Sequence, residues 1–270
     1  MDVIDNLGGY IAQIPYFPVL HSIHCYAVSA SLRSQPGAVE FAHSHPLASL
    51  AGNLLIANAG GVLTAAALGT PLIAPFGNAI NTLTAVFFWW LVYFGPGDLF
   101  FNLYKVKPLQ IAIMGVREMR RCKKILDTVT AAAAVANGSW IVLVLVGALG
   151  GCSGKFIQAT EESMRKHSAD VSRSEFLQIS FVTKASLMIA TVFALVKTDV
   201  IPLSVPQALF FCCVVLITIN LGMILAGLPD PFHPIANATW RVVSIASKGP
   251  AAVKEPAKEP AKKPEDKKKE

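Results

Sequence analysis

Charged residues and catalytic motifs are scarce in this chain. Of its 270 residues, only 15% are Asp, Glu, Lys or Arg, whereas 53% are hydrophobic and the mean hydropathy is +0.52. This composition excludes an ordinary soluble domain and indicates an integral membrane protein. The sequence contains no Walker loop, no HExxH, no GxSxG and no carboxylate pair placed for acid–base chemistry. We therefore expect that the protein is not an enzyme.

Metal-binding and nucleic-acid-binding patterns are also missing. The five cysteines are Cys25, Cys122, Cys152, Cys212 and Cys213. They show no CxxC spacing and predict small buried hydrophobic side chains, and no zinc-site spacing accompanies His43 and His45. The net charge is +6, but eight Lys against five acidic residues at 248–270 supply half of that excess. We expect no metal site and no nucleic-acid partner.

Long apolar runs predict seven membrane spans, taking about 20 residues for each. The predicted spans are 18–32, 47–68, 80–94, 99–130, 140–155, 175–196 and 206–226. The sequence thus predicts an all-α integral membrane protein with an amino-terminal segment at 1–17, a seven-helix transmembrane domain at 18–228 and a tail at 229–270. From about residue 246 the tail is rich in Lys, Glu and Pro, which predicts disorder. A cytosolic Lys-rich tail then places the amino terminus on the lumenal side.

A basic face interrupts the fourth predicted span. Arg117, Arg120, Arg121 and Lys124 stand at i, i+3, i+4 and i+7, which is one face of a helix. This pattern fits a membrane boundary where basic side chains snorkel, or a buried pocket that binds an anionic lipid headgroup. The face begins roughly 18 Å along the helix from Lys105, which is deep in the bilayer. That depth favours the buried lipid-binding pocket over the membrane boundary.

Three further polar positions lie in or beside apolar runs. Lys184, with Thr183 and Ser186, either lines a pore or contacts a lipid phosphate, although a snorkelling lysine fits equally well. Glu118 lies among the arginines, where it neutralises a neighbour or coordinates a cation. Asp98 follows a Gly-Pro-Gly turn and is predicted to cap the fourth helix.

Glycines recur in the second and fifth predicted spans. They are Gly52, Gly60 and Gly61 in the second, and Gly147, Gly150, Gly151 and Gly154 in the fifth. Glycine-interrupted helices at matching places indicate inverted three-helix repeats around a transport site. The alternative is that these glycines only permit close helix packing.

Short motifs follow one another in a distinctive order along the chain. They are HPLAS at 45–49, GDLF at 97–100, YK at 104–105, VREM at 116–119, CSG at 152–154 and FVTKASL at 181–187. In this order they resemble the trimeric intracellular cation (TRIC) channel family. The His-rich loop of vertebrate members is absent after Lys124, so the chain resembles an invertebrate, type-B-like member.

The resemblance implies a function and an assembly. TRIC channels are homotrimers of the endoplasmic or sarcoplasmic reticulum membrane, with a potassium-permeable pore in each subunit and a counter-ion role in calcium release. Each subunit consists of two inverted three-helix repeats and a seventh helix. The same resemblance places a phosphatidylinositol 4,5-bisphosphate headgroup against the fourth helix.

Carried over to this sequence, the resemblance predicts three sets of residues. The lipid ligands are Arg117, Arg121 and Lys124, with Arg120 and Lys184 as secondary ligands. The pore or gating residues are Lys184, Glu118, Thr183 and Ser186, and the helix-kink glycines are Gly60, Gly61, Gly150 and Gly151. The family's Lys-Glu-Val signature occurs here as Arg-Glu-Met at 117–119, which keeps the charge but replaces an ammonium with a guanidinium.

Two other functions fit the same pattern. An inverted-repeat secondary transporter shares the glycine-broken helices, but it needs a carboxylate near the membrane midplane, and only Glu118 offers one. A non-conducting lipid-binding scaffold keeps the basic pocket and needs no continuous polar path.

Overall fold

The computed structural model describes residues 2–166 and 179–232, and within these residues all regular structure is helical. The helices are α1 (Asp2–Gln13), α2 (His21–Arg33), α3 (Ala38–Ser44), α4 (Pro46–Leu68), α5 (Ala79–Phe94), α6 (Leu99–Tyr104), α7 (Lys107–Ala133), α8 (Trp140–Lys166), α9 (Phe181–Lys197) and α10 (Val205–Leu225). The predicted all-α class is confirmed for this part of the chain. The predicted disorder from about residue 246 lies outside the described residues, which end at residue 232.

Fewer helices satisfy the requirements for a membrane span than the sequence predicts. Among the described residues, α4, α8 and α10 are long and apolar enough, and α5 forms a fourth span if the bent pair with 96–104 counts as one. At about 1.5 Å per residue, the 13 residues of α2 and the 17 residues of α9 fall short of a bilayer core. The 27-residue α7 is long enough, but its basic face makes it too polar. The prediction of seven spans is not confirmed.

The predicted fourth span, 99–130, is wrong as one continuous helix. The chain bends by 92° where α5 gives way to the segment 96–104, and α6 ends at Tyr104 before α7 begins at Lys107. Pro108 lies in the first turn of α7, where its fixed φ and missing N–H favour a helix start.

The predicted cap at Asp98 is also wrong. Asp98 has a left-handed φ of 56° and makes no capping hydrogen bond. Its carboxylate instead accepts a hydrogen bond from Arg33 Nη2 at 2.6 Å. The turn is therefore fastened to the end of α2.

Small residues bring α4, α7, α8 and α9 close together. A Cβ on Gly60 of α4 would lie 2.8 Å from the Gly150 carbonyl oxygen of α8, and one on Gly147 would lie 2.4 Å from Val129 of α7. Bulky side chains such as Ile189 fill the remaining core. The helices therefore meet backbone to backbone at one place, and the functional cavity lies beside that place.

Candidate functional site

The basic face of α7 lines one wall of a cavity of about 300 Å³. Helical spacing turns Arg117, Arg120, Arg121 and Lys124 toward this cavity, as the sequence predicted. The other walls come from the turn Tyr16–Leu20, from α2, α4, α5, α8 and α9, and from Pro75 between α4 and α5. Their polar contributions are Tyr16, His21, Ser31, His24, Asn58, Asn81, Lys155 and Gln158.

Positive charge dominates this cavity. Five lining residues are cations, counting Lys155 of α8, and among the described residues none that lines it is Asp or Glu. Glu118 lies beside the cavity, and its Oε2 accepts a hydrogen bond from Arg121 Nη1 at 2.6 Å. Both side chains are nearly buried, at 5% and 11% exposure. Glu118 therefore neutralises Arg121, whereas Arg117, Arg120 and Lys124 leave an anion-attracting space.

Arg120 has the least compensated environment of the four α7 cations. Its buried Nε has no hydrogen-bond partner among the residues the structure describes. Its guanidinium lies 5.8 Å from the centre of the Tyr16 ring. The Tyr16 hydroxyl donates to Asp127 Oδ2 at 2.7 Å, and burial, with this carboxylate, raises the pKa of Tyr16. The tyrosine therefore stays neutral and offers its ring face to the cation.

Polar groups of α2, α4 and α5 also line the cavity. His21 Nε2 donates to the Asn81 carbonyl at 2.9 Å, and His24 Nε2 donates to the Ala57 carbonyl at 3.0 Å. The buried Asn81 Oδ1 has no partner within the described residues. This acceptor is available to a bound hydroxyl, a water or a cation. The sequence prediction missed both histidines, although their i, i+3 spacing on α2 was a signal.

The glycine set lines the cavity between these walls. Gly60, Gly61, Gly150 and Gly151 all border it. A Cβ on Gly150 would lie 2.4 Å from Thr128 Oγ1. Helices α4 and α8 continue through these positions as α-helix. The glycines therefore allow close packing, and their predicted kinking stays a prediction.

The second predicted cluster lies elsewhere. Lys184 Nζ donates to Asp230 Oδ2 at 2.7 Å and does not line the cavity. Thr183 and Ser186 are buried and also lie outside its lining. The Ser186 hydroxyl donates to the Val182 carbonyl at 2.8 Å. The structure thus brings the four α7 cations together with the glycines but separates Lys184 from them.

Comparison with known proteins identifies the family. The family model described as TRIC channel matches residues 35–227. The chain belongs to the TRIC channel family. TRIC channel type B of Rattus norvegicus is 31% identical over 218 residues, covering 79% of this chain and 72% of the relative. Type B-B of Xenopus laevis is 28% identical over 256 residues, covering 94% and 90%.

Solved TRIC structures share the fold. A chain from work on TRIC counter-ion channels in calcium release has a TM-score of 0.77 and 29% identity, covering 83% of this chain and 99% of its own. A Caenorhabditis elegans TRIC channel without Ca²⁺ has a TM-score of 0.75 and 25% identity, covering 85% and 99%. The TRIC resemblance carried by the short motifs is therefore confirmed.

Proposed function

We propose that the chain is a potassium-permeable monovalent cation channel of the endoplasmic or sarcoplasmic reticulum that carries counter-ion current during calcium release. It assembles as a homotrimer with one pore per subunit, a lumenal amino terminus and a cytosolic carboxyl terminus. Membership of the TRIC family and the similarity to TRIC counter-ion channels support this proposal. The relatives are named as channels, so our proposal includes no enzymatic activity for this chain.

The proposal of a lipid ligand rests on one observation about the charges that line the cavity. Four cations of α7 face a space that no carboxylate of the described chain lines. Guanidinium groups bind phosphate through paired hydrogen bonds, and basic pockets between membrane helices suit phosphoinositide headgroups. The proposed ligand is phosphatidylinositol 4,5-bisphosphate, held by Arg117, Arg120, Arg121 and Lys124. Because Lys184 is paired elsewhere, it is not among the proposed ligands.

A bound phosphoinositide also reconciles a cation path with so many cations. Its phosphates more than neutralise the basic wall and leave a negative surface. Polar side chains that line the cavity, those of Ser31, Asn58 and Asn81, replace part of the hydration of a passing potassium ion. In this mechanism the lipid is required for cation selectivity, whereas Thr183 and Ser186 support α9 behind the cavity.

The carrier alternative has less support. A proton- or solute-coupled carrier needs a titrating carboxylate in the binding region. Glu118, the one such residue that the sequence offered, is held by Arg121 at 2.6 Å. Flux at channel rates would exclude both the carrier and the non-conducting scaffold.

The deciding experiment is a reversal-potential measurement in planar bilayers under a potassium chloride gradient, with and without phosphatidylinositol 4,5-bisphosphate. We expect unitary currents that reverse near the potassium potential when the lipid is present. In the Arg117→Gln/Arg120→Gln variant, the currents should no longer differ with and without the lipid. In the matched control Lys184→Gln, they should still differ. Reversal near the chloride potential, or no current with lipid present, would contradict the proposal.

A further inference from the structure

Helix α1 presents three different surfaces around its axis. Ile4, Gly8 and Ile11 recur at i, i+4 and i+7 and are buried or half-buried. Three apolar side chains with the same spacing are exposed, namely Val3 at 70%, Leu7 at 44% and Tyr10 at 70%. Exposed polar side chains, Asn6 and Gln13, form the third stripe. At about 100° per residue, these stripes point in three separate directions.

The first stripe is docked on the amino-terminal end of α10. Asp5 accepts a hydrogen bond from Gln207 Nε2 at 2.7 Å and another from the Ser204 hydroxyl. A Cβ on Gly8 would lie 2.0 Å from the Pro206 carbonyl oxygen, so only glycine permits this approach. At the other end of α1, Lys123 Nζ donates to the Ala12 carbonyl at 2.7 Å. The helix is therefore held in a fixed orientation.

The docking site lies at a membrane boundary. Helix α10 has 21 residues and about 31 Å of length, which matches a bilayer core. Ser204 caps its first turn, so this end of α10 marks the edge of the hydrocarbon. Farther along α10, Phe211 and Val214 are exposed and apolar, as a lipid-facing surface requires. Helix α1 is fastened where protein, lipid and water meet.

We propose that α1 is an interfacial helix whose exposed apolar face, formed by Val3, Leu7 and Tyr10, is buried in membrane lipid. Its three stripes then match the three media around it: protein, lipid and water. The helix contains no Lys or Arg, and its Asp5 is occupied by α10. Its partner is therefore the acyl-chain boundary of the bilayer and not an anionic headgroup. This proposal does not depend on ion conduction or on phosphoinositide binding.

Site-directed spin labelling of the full chain in phosphatidylcholine vesicles tests the proposal. The cysteines of the natural sequence are all buried, so unsubstituted protein serves as the labelling control. Labels at Leu7→Cys and Tyr10→Cys should collide mainly with oxygen, which partitions into lipid, and lose collisions with a water-soluble nickel chelate. Labels at Asn6→Cys and Gln13→Cys are the matched pair on the polar stripe and should collide mainly with the nickel chelate.

Two results would overturn the proposal. Equal nickel collision at positions 7 and 6 would mean that the apolar face is in water. Protection of position 7 from both reagents would mean that a second copy of this chain covers the face.

A glycine pair adds a test of the docking geometry. Gly8→Ala, placed in the Tyr10→Cys background, should abolish the difference between oxygen and nickel collisions because α1 can no longer seat against Pro206. Gly9→Ala is the control, since a Cβ there meets nothing within 4 Å. An unchanged signal in both variants would contradict the docked orientation on which the proposal rests.

Discussion

Two groups of buried or half-buried cations differ in whether a carboxylate accompanies them. In the cavity, no carboxylate of the described residues forms an ion pair with Arg117, Arg120 or Lys124. Outside it, three cations of the described residues form ion pairs with carboxylates, and we call these pairs latches. The latches are Arg33 with Asp98 at 2.6 Å, Arg165 with Glu161 at 3.0 Å and Lys184 with Asp230 at 2.7 Å.

The latches also make contacts that fix one element to another. Arg33 of α2 donates to the Val92 carbonyl of α5 as well as to Asp98. Arg165 of α8 donates to Gln35 Oε1 at 2.5 Å, beyond the end of α2. A cation whose acceptors all come from the protein stabilises the fold. A cation without them is available to a ligand, so the two groups should respond differently to substitution.

The largest expected effect is on lipid affinity. Arg117→Gln/Arg120→Gln removes two charged donors without leaving a carboxylate unpaired. Each charged hydrogen bond contributes about 1.5–3 kcal/mol, so the affinity for a short-chain phosphatidylinositol 4,5-bisphosphate should fall about 100-fold or more. Titration of the detergent-solubilised protein measures this, with Lys184→Gln as the control. Equal losses in the two variants would erase the distinction between cavity cations and latches.

A smaller effect is expected on stability when a latch is broken. Arg33→Met loses the bonds to Asp98 and Val92 and should lower the free energy of unfolding by about 2–3 kcal/mol. Thermal unfolding in detergent reports the change. Lys105→Met is the matched control because Lys105 lies over the same Phe101 ring, at 4.2 Å against 4.6 Å for Arg33, but is exposed. Similar losses in both variants would attribute the effect to the ring contact.

The Lys184 latch should contribute less because both partners are partly exposed, at 24% and 23%. Lys184→Met is expected to lower stability by about 0.5–1 kcal/mol and leave lipid affinity unchanged. The exchange of charges in Lys184→Asp/Asp230→Lys should recover part of the loss. A fall in lipid affinity would instead return Lys184 to the ligand set that the family resemblance predicted.

The smallest expected effect is on the lipid-free protein. Arg120→Gln removes a cation that has like-charged neighbours and no carboxylate, so its unfolding free energy should stay within about 0.5 kcal/mol of the unsubstituted value. Thermal unfolding after lipid removal by detergent exchange tests this. A loss as large as that of Arg33→Met would place Arg120 among the structural cations.

The basic face was predictable because a helix brings residues i, i+3, i+4 and i+7 together without information from elsewhere in the chain. The same local rule placed Gly60 and Gly150 on long helices. It did not extend to Lys184, because Asp230 is 46 residues away and no local pattern connects them. The sequence therefore predicted which side chains share a helix face but not which of them have a distant partner.

The sequence prediction missed helix α1 and the break before α7 for different physical reasons. Helix α1 contains two adjacent glycines, which argue locally against a helix, and its docking on α10 supplies what local propensity lacks. The sequence prediction therefore places Tyr16 in the amino-terminal segment and outside the site. The break before α7 was signalled by Pro108 and by the flanking Lys105 and Lys107, but the predicted span 99–130 runs through all three. The seven-span prediction is not confirmed for other reasons, since α2 and α9 are shorter than a bilayer core and α7 is too polar.

Substitutions in the glycine wall of the cavity can only add side-chain atoms. Five glycines border it, Gly60, Gly61, Gly150, Gly151 and Gly154, and none has a side chain left to remove. Every substitution at these positions adds atoms. At Gly60, Gly61, Gly150 and Gly151 the added Cβ would lie within 3 Å of a neighbouring element, so a side chain there would push the helices apart, whereas at Gly154 the nearest atom is 3.9 Å away. The size of the cavity is therefore tied to how closely these helices pack, and a larger occupant would require the helices themselves to separate.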